Sequence, residues 1–184
     1  MAQHVCPWWM GYLLTSPLRR WSHPPEDILA PFVAEGMTVV DVGCGMGHFS
    51  LPLAQMVGSK GRVICVDLQE KMINSLRRRA TRAGLIRRID LRTCSADSLG
   101  IEDLAGQVDF ILLFAVAHEV PDIPGIFAQL YEALRSGGSL LLAEPAGHVN
   151  ADKFAETVAA AEQVGLTAVG HPQIKRSRAV VLKK

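Results

Sequence analysis

The sequence predicts an α/β fold: a doubly wound, mostly parallel sheet of seven strands, preceded by an N-terminal helical and aromatic cap. From about residue 37, short runs rich in Val, Ile and Leu alternate with helical patterns, which is typical of a parallel sheet flanked by helices. The longest apolar run, Phe110 to Ala117, has the continuous apolar character of a strand that is covered on both faces. These two observations define the fold class.

The predicted strands follow the apolar runs, and the predicted helices lie between them. The strands cover residues 37–43, 62–67, 89–94, 108–116, 139–144, 166–169 and 179–182. The helices cover residues 25–34, 48–57, 70–83, 123–135 and 152–164. The helix over 70–83 has the strongest pattern, because Met72, Leu76 and Ala80 recur along one side and Gly84 ends it.

All of these elements fit a single domain over residues 1–184, with residues 37–184 as its core. Residues 1–36 form a predicted cap that is rich in aromatic side chains, among them Trp8, Trp9 and Tyr12. Its helix begins near Pro25, since proline suits the first turn of a helix. The cap either closes over a bound ligand and excludes water or packs against the sheet as ordinary core.

Composition excludes several classes of protein. The chain is 49% hydrophobic and 20% charged, which excludes a disordered protein. Its net charge of +1 gives no overall basic field for nucleic acid, although arginines are concentrated between residues 77 and 92. Such a run either contacts RNA phosphates or forms the solvated face of a helix, and the sequence favours the second.

The apolar runs and the cysteines predict whether the protein has a membrane segment or a metal site, and where in the cell it is located. The longest apolar run is far shorter than the roughly 20 residues of a membrane-spanning helix, so no membrane partner is expected. The four cysteines are scattered without a CxxC pair, so neither a disulfide framework nor a metal site is expected. A reducing cytoplasm is the predicted location. The oligomeric state does not follow from the sequence.

The stretch from Val39 to Gly47 is the most informative, because a strand runs into three alternating glycines and then into a helix. Such a turn lets a ligand approach the backbone closely, outside the carboxyl end of the first strand. The spacing GxGxG differs from the GxGxxG of dinucleotide sites. Asp41 inside the strand favours a cationic or amine-bearing ligand, and Asp67 stands about 20 residues further on, where an acid binds ribose hydroxyls. Each acid has an alternative as a capping or turn residue.

Taken with Asp97 and the rhythm of seven strands, the motif resembles class I S-adenosylmethionine-dependent methyltransferases over nearly the whole chain from Pro25. The resemblance implies a Rossmann-like methyltransferase fold and S-adenosylmethionine as cofactor, with S-adenosylhomocysteine as product. It also implies a cofactor-binding set along the carboxyl edge of the sheet. That set is Asp41, Gly43, Cys44, Gly45, Gly47, Asp67, Leu68, Ala96, Asp97, Phe114 and Ala115. Within it, Asp41 orients the amino group of the cofactor, Asp67 takes the ribose hydroxyls, and Leu68 packs on adenine.

The acceptor is expected over the ends of the fourth and fifth strands, where residues 117–122 resemble the histidine-bearing loop of ubiquinone/menaquinone-type methyltransferases. His118 is the candidate base or acceptor-orienting group, and the alternative is that it caps the following helix. Glu144, at the end of the fifth predicted strand, is either a wall of the pocket or an acid bonded to backbone amides.

The function predicted by the resemblance is methyl transfer to a small-molecule acceptor. One alternative is a methyltransferase for RNA or protein, but the stretch from Phe114 to His118 lacks the Asn/Asp-Pro-Pro-aromatic motif of enzymes that methylate base amino groups. Nucleic acid is therefore not the favoured partner. The other alternative is a protein that binds S-adenosylmethionine without catalysis and regulates a partner enzyme.

Overall fold

The computed structural model describes residues 23–184, which form one seven-stranded sheet with helices packed on it. The strands are β1 Thr38–Val42, β2 Arg62–Asp67, β3 Ile89–Thr93, β4 Val108–Phe114, β5 Leu134–Pro145, β6 Thr167–Gly170 and β7 Ser177–Lys183. The α-helices of this part of the chain are α1 Pro25–Leu29, α2 Ser50–Met56, α3 Glu70–Arg82, α4 Ile123–Ala133 and α5 Ala151–Gln163. Of the aromatic residues of the predicted cap, Trp8, Trp9 and Tyr12 lie outside the described residues, whereas Phe32 stacks on Phe110 of β4.

The strand order is β3-β2-β1-β4-β5-β7-β6. Neighbouring strands from β3 to β5 are parallel, and β7 runs antiparallel between β5 and β6. The chain builds outward from β1 to β3 and then returns to place β4 on the other side of β1. The carboxyl ends of β1 and β4 therefore form the switch point at which ligands of such sheets bind. The predicted α/β fold class is confirmed.

Both faces of the sheet are covered by apolar side chains. Adjacent β1 residues belong to different clusters of the core: Val40 packs with one cluster and Val39 with the other. The same division holds in β2 for Ile64 and Val63, because successive side chains of a strand point to opposite faces. Burial on both sides explains why these strands read as continuous apolar runs.

Two of the five α-helices in the described part of the chain begin at a side-chain cap. Asp122 accepts a hydrogen bond from the Gly125 amide at 3.1 Å at the start of α4. Asn150 accepts one from the Lys153 amide at 2.8 Å at the start of α5. In α3 the predicted apolar side is buried, since Met72, Leu76 and Ala80 all lie in the interior.

Several predicted boundaries were wrong for local reasons. The helix predicted over 25–34 ends at Leu29, because a turn follows in which the amides of Phe32 and Val33 both donate to the Leu29 carbonyl. The helix predicted from residue 48 begins at Ser50, after the glycine turn. The helix predicted to 135 ends at Ala133 because β5 begins at Leu134.

The early start of β5 follows from its pairing with β4. Leu134 pairs with Val108, and a register shift then separates this pair from the one formed by Phe110 and Ser139. β4 itself ends at Phe114 rather than at 116, because the backbone leaves the strand at Ala115. Strand pairing determines where β5 begins and the left-handed residue Ala115 determines where β4 ends, and no local pattern in the sequence predicts either boundary.

Candidate active site

The glycine turn after β1 has a left-handed backbone, with φ of 67° at Gly43, 54° at Gly45 and 87° at Gly47. A Cβ built on Gly43 would overlap the side chain of Val116, and one on Gly47 would overlap Leu76. Among residues 23–184, no atom lies within 4 Å of a Cβ built on Gly45. The outer glycines therefore allow close packing, whereas no described residue packs against Gly45 in this way.

The turn is fixed from behind by neighbouring elements. The amides of Gly43 and Cys44 donate to the Val66 carbonyl of β2 at 2.8 and 3.1 Å. From α3, the guanidinium of Arg79 donates to the carbonyl of Met46, and burial lowers the pKa of Arg79. The glycine turn is thus held in place by the sheet and by α3.

Asp41 lies inside β1 with 3% of its surface exposed. Its carboxylate accepts a hydrogen bond from the hydroxyl of Ser50 at 2.6 Å, and Ser50 is the first residue of α2. Asp41 therefore links β1 to the helix that follows the glycine turn. Its predicted contact with the amino group of a cofactor stays a prediction.

Asp67 ends β2 beside the glycine turn, and its carboxylate is 8% exposed. One carboxylate oxygen accepts from the Gly45 amide and the other from the Gln69 amide, both at 2.8 Å. Burial raises the pKa of Asp67, and the two amide hydrogen bonds oppose that rise. A carboxylate has about four acceptor positions, so Asp67 retains capacity for two hydroxyl donors.

The predicted adenine-side residues lie in the segments that follow β2 and β3. Leu68 is 42% exposed, and only one other large hydrophobic side chain among residues 23–184 is as open. Ala96 and Asp97 are exposed in the loop after β3. The side chain of Gln129 on α4 holds this loop, because its amide nitrogen donates to the Asp97 carbonyl at 2.9 Å and its oxygen accepts from the Leu99 amide at 2.8 Å. No motif in the sequence pointed to this role of Gln129.

The end of β4 turns sharply away from the sheet. Ala115 has φ of 59°, which is uncommon outside glycine, and its amide donates to the Ala143 carbonyl at 2.7 Å. The ring of Phe114 lies 4.7 Å from that of Phe49 and 5.5 Å from that of His23, measured between centroids. The turn directs the following residues along the carboxyl edge of the sheet.

Glu144 lies near the end of β5 and binds the loop that follows β4. The side chain is 1% exposed, and its Oε1 accepts from the amides of Val116 and Ala117 at 3.1 and 2.8 Å. Its Oε2 lies 2.5 Å from Nδ1 of His118. Of the two alternatives for Glu144, the acid bonded to backbone amides describes the structure, and the sequence did not reveal its bond to His118.

His118 combines a buried partner with an accessible edge. Its side chain is 21% exposed, and its Nε2 lies 3.9 Å from an oxygen of Glu119. The hydrogen bond to Glu144 raises the pKa of His118, while partial burial opposes the rise. Since Glu144 holds Nδ1, the neutral ring carries its proton there and leaves the lone pair of Nε2 available to accept another.

The side chain of Val116 connects the two halves of the site. Val116, whose amide Glu144 binds, packs directly over Gly43 of the glycine turn. The predicted residues thus come together along one edge of the sheet, with the acids of β1 and β2 on one side of the switch point and His118 on the other.

The remaining titratable groups do not extend this site. Burial raises the pKa of the Cys44 thiol, and burial together with the nearby Asp67 charge raises that of Cys94 to about 11. Within residues 23–184, no group of three or more His, Cys, Asp and Glu side chains could hold a metal ion. No helix in the described part of the chain is long and apolar enough to cross a bilayer.

Comparison with known proteins identifies the family. A family model described as a methyltransferase domain matches residues 34–178, which is more than half of the chain. The chain belongs to this methyltransferase family. The match includes the glycine turn, Asp67, His118 and Glu144.

Solved structures of methyltransferases share the fold. The chain superposes with a TM-score of 0.87 on an S-adenosylmethionine-dependent methyltransferase from Aquifex aeolicus, at 24% identity over 97% of this chain and 98% of that one. The predicted Rossmann-like methyltransferase fold is confirmed.

Curated relatives have different named activities. The aklanonic acid methyltransferase of Streptomyces sp. strain C5 is 34% identical over 65% of this chain and 52% of its own length. The ubiquinone biosynthesis O-methyltransferase of Methylocella silvestris is 33% identical over 65% of this chain and 44% of its own length. The chain therefore spans about half the length of these relatives.

Proposed function

We propose that the chain transfers a methyl group from S-adenosylmethionine to a small-molecule acceptor. One observation carries the proposal: the buried Asp67 carboxylate is fixed at the end of β2 by the amide of Gly45, a glycine against which no residue of 23–184 packs. An acid held beside the glycine turn supports binding of a hydroxyl-bearing ligand at the carboxyl edge of the sheet, where ligands of such folds bind. Membership of the methyltransferase family supports the same conclusion.

The described residues fit the chemical groups of this cofactor. Asp67 has acceptor positions left for the ribose hydroxyls, and the exposed Leu68 offers an apolar surface for adenine. Asp97, with Ala96 beside it, follows β3 where it would meet the adenine amino group. In this proposal the methionine end of the cofactor is surrounded by Asp41, by the glycine turn and by the backbone at the end of β4. The turn is formed by Gly43, Cys44, Gly45 and Gly47, and the backbone of β4 contributes Phe114 and Ala115.

When bound, the cofactor supplies an electrophilic sulfonium methyl group. The work of the chain is to hold the donor in one orientation, to align the acceptor in line with the methyl group and to exclude water. The fixed glycine turn and the Val116 contact between the two halves serve that alignment. His118 lies on the acceptor side, at the end of β4 and close to the end of β5.

A small-molecule acceptor is supported by the names of the two relatives, one for aklanonic acid and one for ubiquinone biosynthesis. The arginine concentration gives little support to an RNA substrate. Arg79, Arg88 and Arg92 each bind protein oxygen atoms, whereas Arg77, Arg78, Arg82 and Arg87 are exposed. A cytoplasmic location fits the free thiols of Cys44, Cys65 and Cys94.

Calorimetry tests the cofactor half of the proposal. S-adenosylmethionine and S-adenosylhomocysteine should bind with micromolar affinity, and NAD should not bind. Heat from NAD with none from S-adenosylmethionine would contradict the proposal. Incubation of the chain with a labelled methyl donor and metabolite extracts then separates an enzyme from a non-catalytic binding protein, because only an enzyme yields a labelled product.

A further inference from the structure

We propose that Glu144 positions His118 as a base, and that the acceptor is a phenol or enol whose hydroxyl proton His118 removes. This inference rests on the proposed methyl transfer and adds to it a positioning residue and a substrate class. Its basis is a geometry that methyl transfer alone does not require: a nearly fully buried carboxylate bonded to an imidazole whose side chain is 21% exposed.

The proton positions follow from the contacts of Glu144. Its Oε1 accepts hydrogen bonds from two backbone amides. Its Oε2 therefore accepts the hydrogen bond that the N–H at Nδ1 of His118 donates, over 2.5 Å between Nδ1 and Oε2. The neutral imidazole is then protonated at Nδ1 and has its lone pair at Nε2. Because Glu144 is held by three donors, it fixes the ring orientation as well as the tautomer. A buried acid serves a catalytic histidine in this way in hydrolytic triads.

Other charged groups face His118 from every neighbouring element. Glu119 lies on the same short helix, with its oxygen 3.9 Å from Nε2, beyond hydrogen-bond range. The charge of Lys153 on α5 acts against protonation of His118. The His148 ring, in the loop between β5 and α5, lies 6.0 Å from the His118 ring in an edge-on arrangement. Glu144 is the group among these that bonds the imidazole directly.

A protic acceptor explains why the site holds such a base. A phenol is a weak nucleophile, and its oxygen becomes strongly nucleophilic when the proton leaves. In the proposed step the O–H bond of the acceptor breaks and its proton moves to Nε2 of His118. The acceptor bonds to the methyl carbon as the carbon–sulfur bond of the donor breaks, and sulfur retains that electron pair as a neutral thioether. Glu144 stabilises the imidazolium, which returns its proton to solvent.

The same base serves two methylation outcomes. The negative charge of a phenolate or enolate is shared between oxygen and carbon, so methylation can occur at either atom after a single deprotonation. An acceptor with a lone pair and no proton to lose, such as a thioether or a tertiary amine, needs no base. The Glu144–His118 pair therefore argues for the first group of acceptors and against the second.

The test of the pair is a nitrogen NMR titration of the full chain labelled in histidine, with S-adenosylhomocysteine added and the His118 signal assigned with His118→Ala. The neutral ring should be protonated at Nδ1. Glu144→Gln keeps an oxygen for the backbone amides and loses the charge, so the His118 titration should move to lower pH. The matched control Glu119→Gln should move it by less.

Protonation of the neutral ring at Nε2 would overturn the pair even if Glu144→Gln failed to fold, because that measurement uses the wild-type chain. An unshifted titration in folded Glu144→Gln would overturn it as well. Calorimetry with S-adenosylhomocysteine keeps the outcomes separate. If the wild type does not bind S-adenosylhomocysteine, the proposed function is contradicted. If it binds but His118 is protonated at Nε2, only the assignment of His118 as a base is contradicted.

4-Nitrophenol is the probe for the substrate class, because its ionised form absorbs at longer wavelength than its neutral form. Added to the chain with S-adenosylhomocysteine, below the pH at which it ionises in solution, it should show the phenolate band. His118→Ala should lose that band while retaining the affinity for S-adenosylhomocysteine. Absence of the band with the wild type, or its persistence in His118→Ala, would overturn the assignment of a phenol or enol.

Discussion

Two buried carboxylates organise the two halves of this site, and their different partners separate their roles. Asp67 accepts from two backbone amides, those of Gly45 and Gln69, and has no cationic partner in these bonds. Glu144 also accepts from two amides but adds the imidazole of His118, whose pKa the hydrogen bond to Glu144 raises. The first acid shapes a rigid surface for a ligand, whereas the second controls the protonation of a side chain.

The first prediction concerns His118 in the proposed acceptor half of the site, where we expect the greatest loss of activity. His118→Ala should lower turnover by roughly 10²–10⁴-fold, the usual contribution of a general base, with little change in cofactor affinity. The measurement is turnover of a labelled methyl donor with an acceptor found by screening extracts. If the loss appears chiefly in KM, His118 only binds the acceptor, and full turnover would remove it from catalysis.

Two glycine variants test how tightly Gly43 and Gly45 are packed in the proposed cofactor half of the site. Gly43→Ala places a Cβ against Val116 in a left-handed backbone and should destabilise the fold by about 2–4 kcal/mol. Gly45→Ala meets no atom of residues 23–184 within 4 Å and should cost about 1 kcal/mol from its backbone alone. Chemical denaturation measures both, and equal losses would contradict the different packing of the two glycines.

The smallest expected effect concerns stability and pH. Because Glu144 raises the pKa of folded His118 above its unfolded value, their bond stabilises the fold fully below about pH 6.5. That stabilisation should disappear as the pH rises through the folded pKa, at about 1.4 kcal/mol for each unit by which the pKa is raised. Denaturation between pH 6 and 9 should show this slope in the wild type and a weaker one in Glu144→Gln. Equal slopes would show that the pair contributes nothing to folding.

The glycine turn and Asp67 could be predicted as neighbours because their sequence is nearly contiguous. A strand, three glycines and an acid at the end of the next strand lie within residues 39–67, and each has a local pattern. The fold class followed from the same alternation of apolar runs. The position of His118 after the end of β4 could be predicted from the apolar run that precedes it, and its role toward an acceptor stays a prediction.

The pairing of His118 with Glu144 could not be predicted, because the two residues are separated by 26 positions. Their contact depends on the register in which Phe114 pairs with Ala143 and on the left-handed turn at Ala115. Alanine gives no indication of such a turn in the sequence. The same dependence on strand pairing explains the misplaced start of β5.

The direct test of the division between the two acids is calorimetry with S-adenosylhomocysteine on two variants. Asp67→Ala should weaken binding at least about tenfold, because hydrogen bonds to a charged group are worth roughly 1.5–3 kcal/mol each and 1.4 kcal/mol is one decade. Glu144→Gln, its matched control, should leave the affinity for S-adenosylhomocysteine within about twofold of the wild type. Glutamine retains an acceptor oxygen that keeps the loop after β4 in place. Unchanged affinity in folded Asp67→Ala, or an equal loss in both variants, would contradict the assignment of cofactor binding to Asp67.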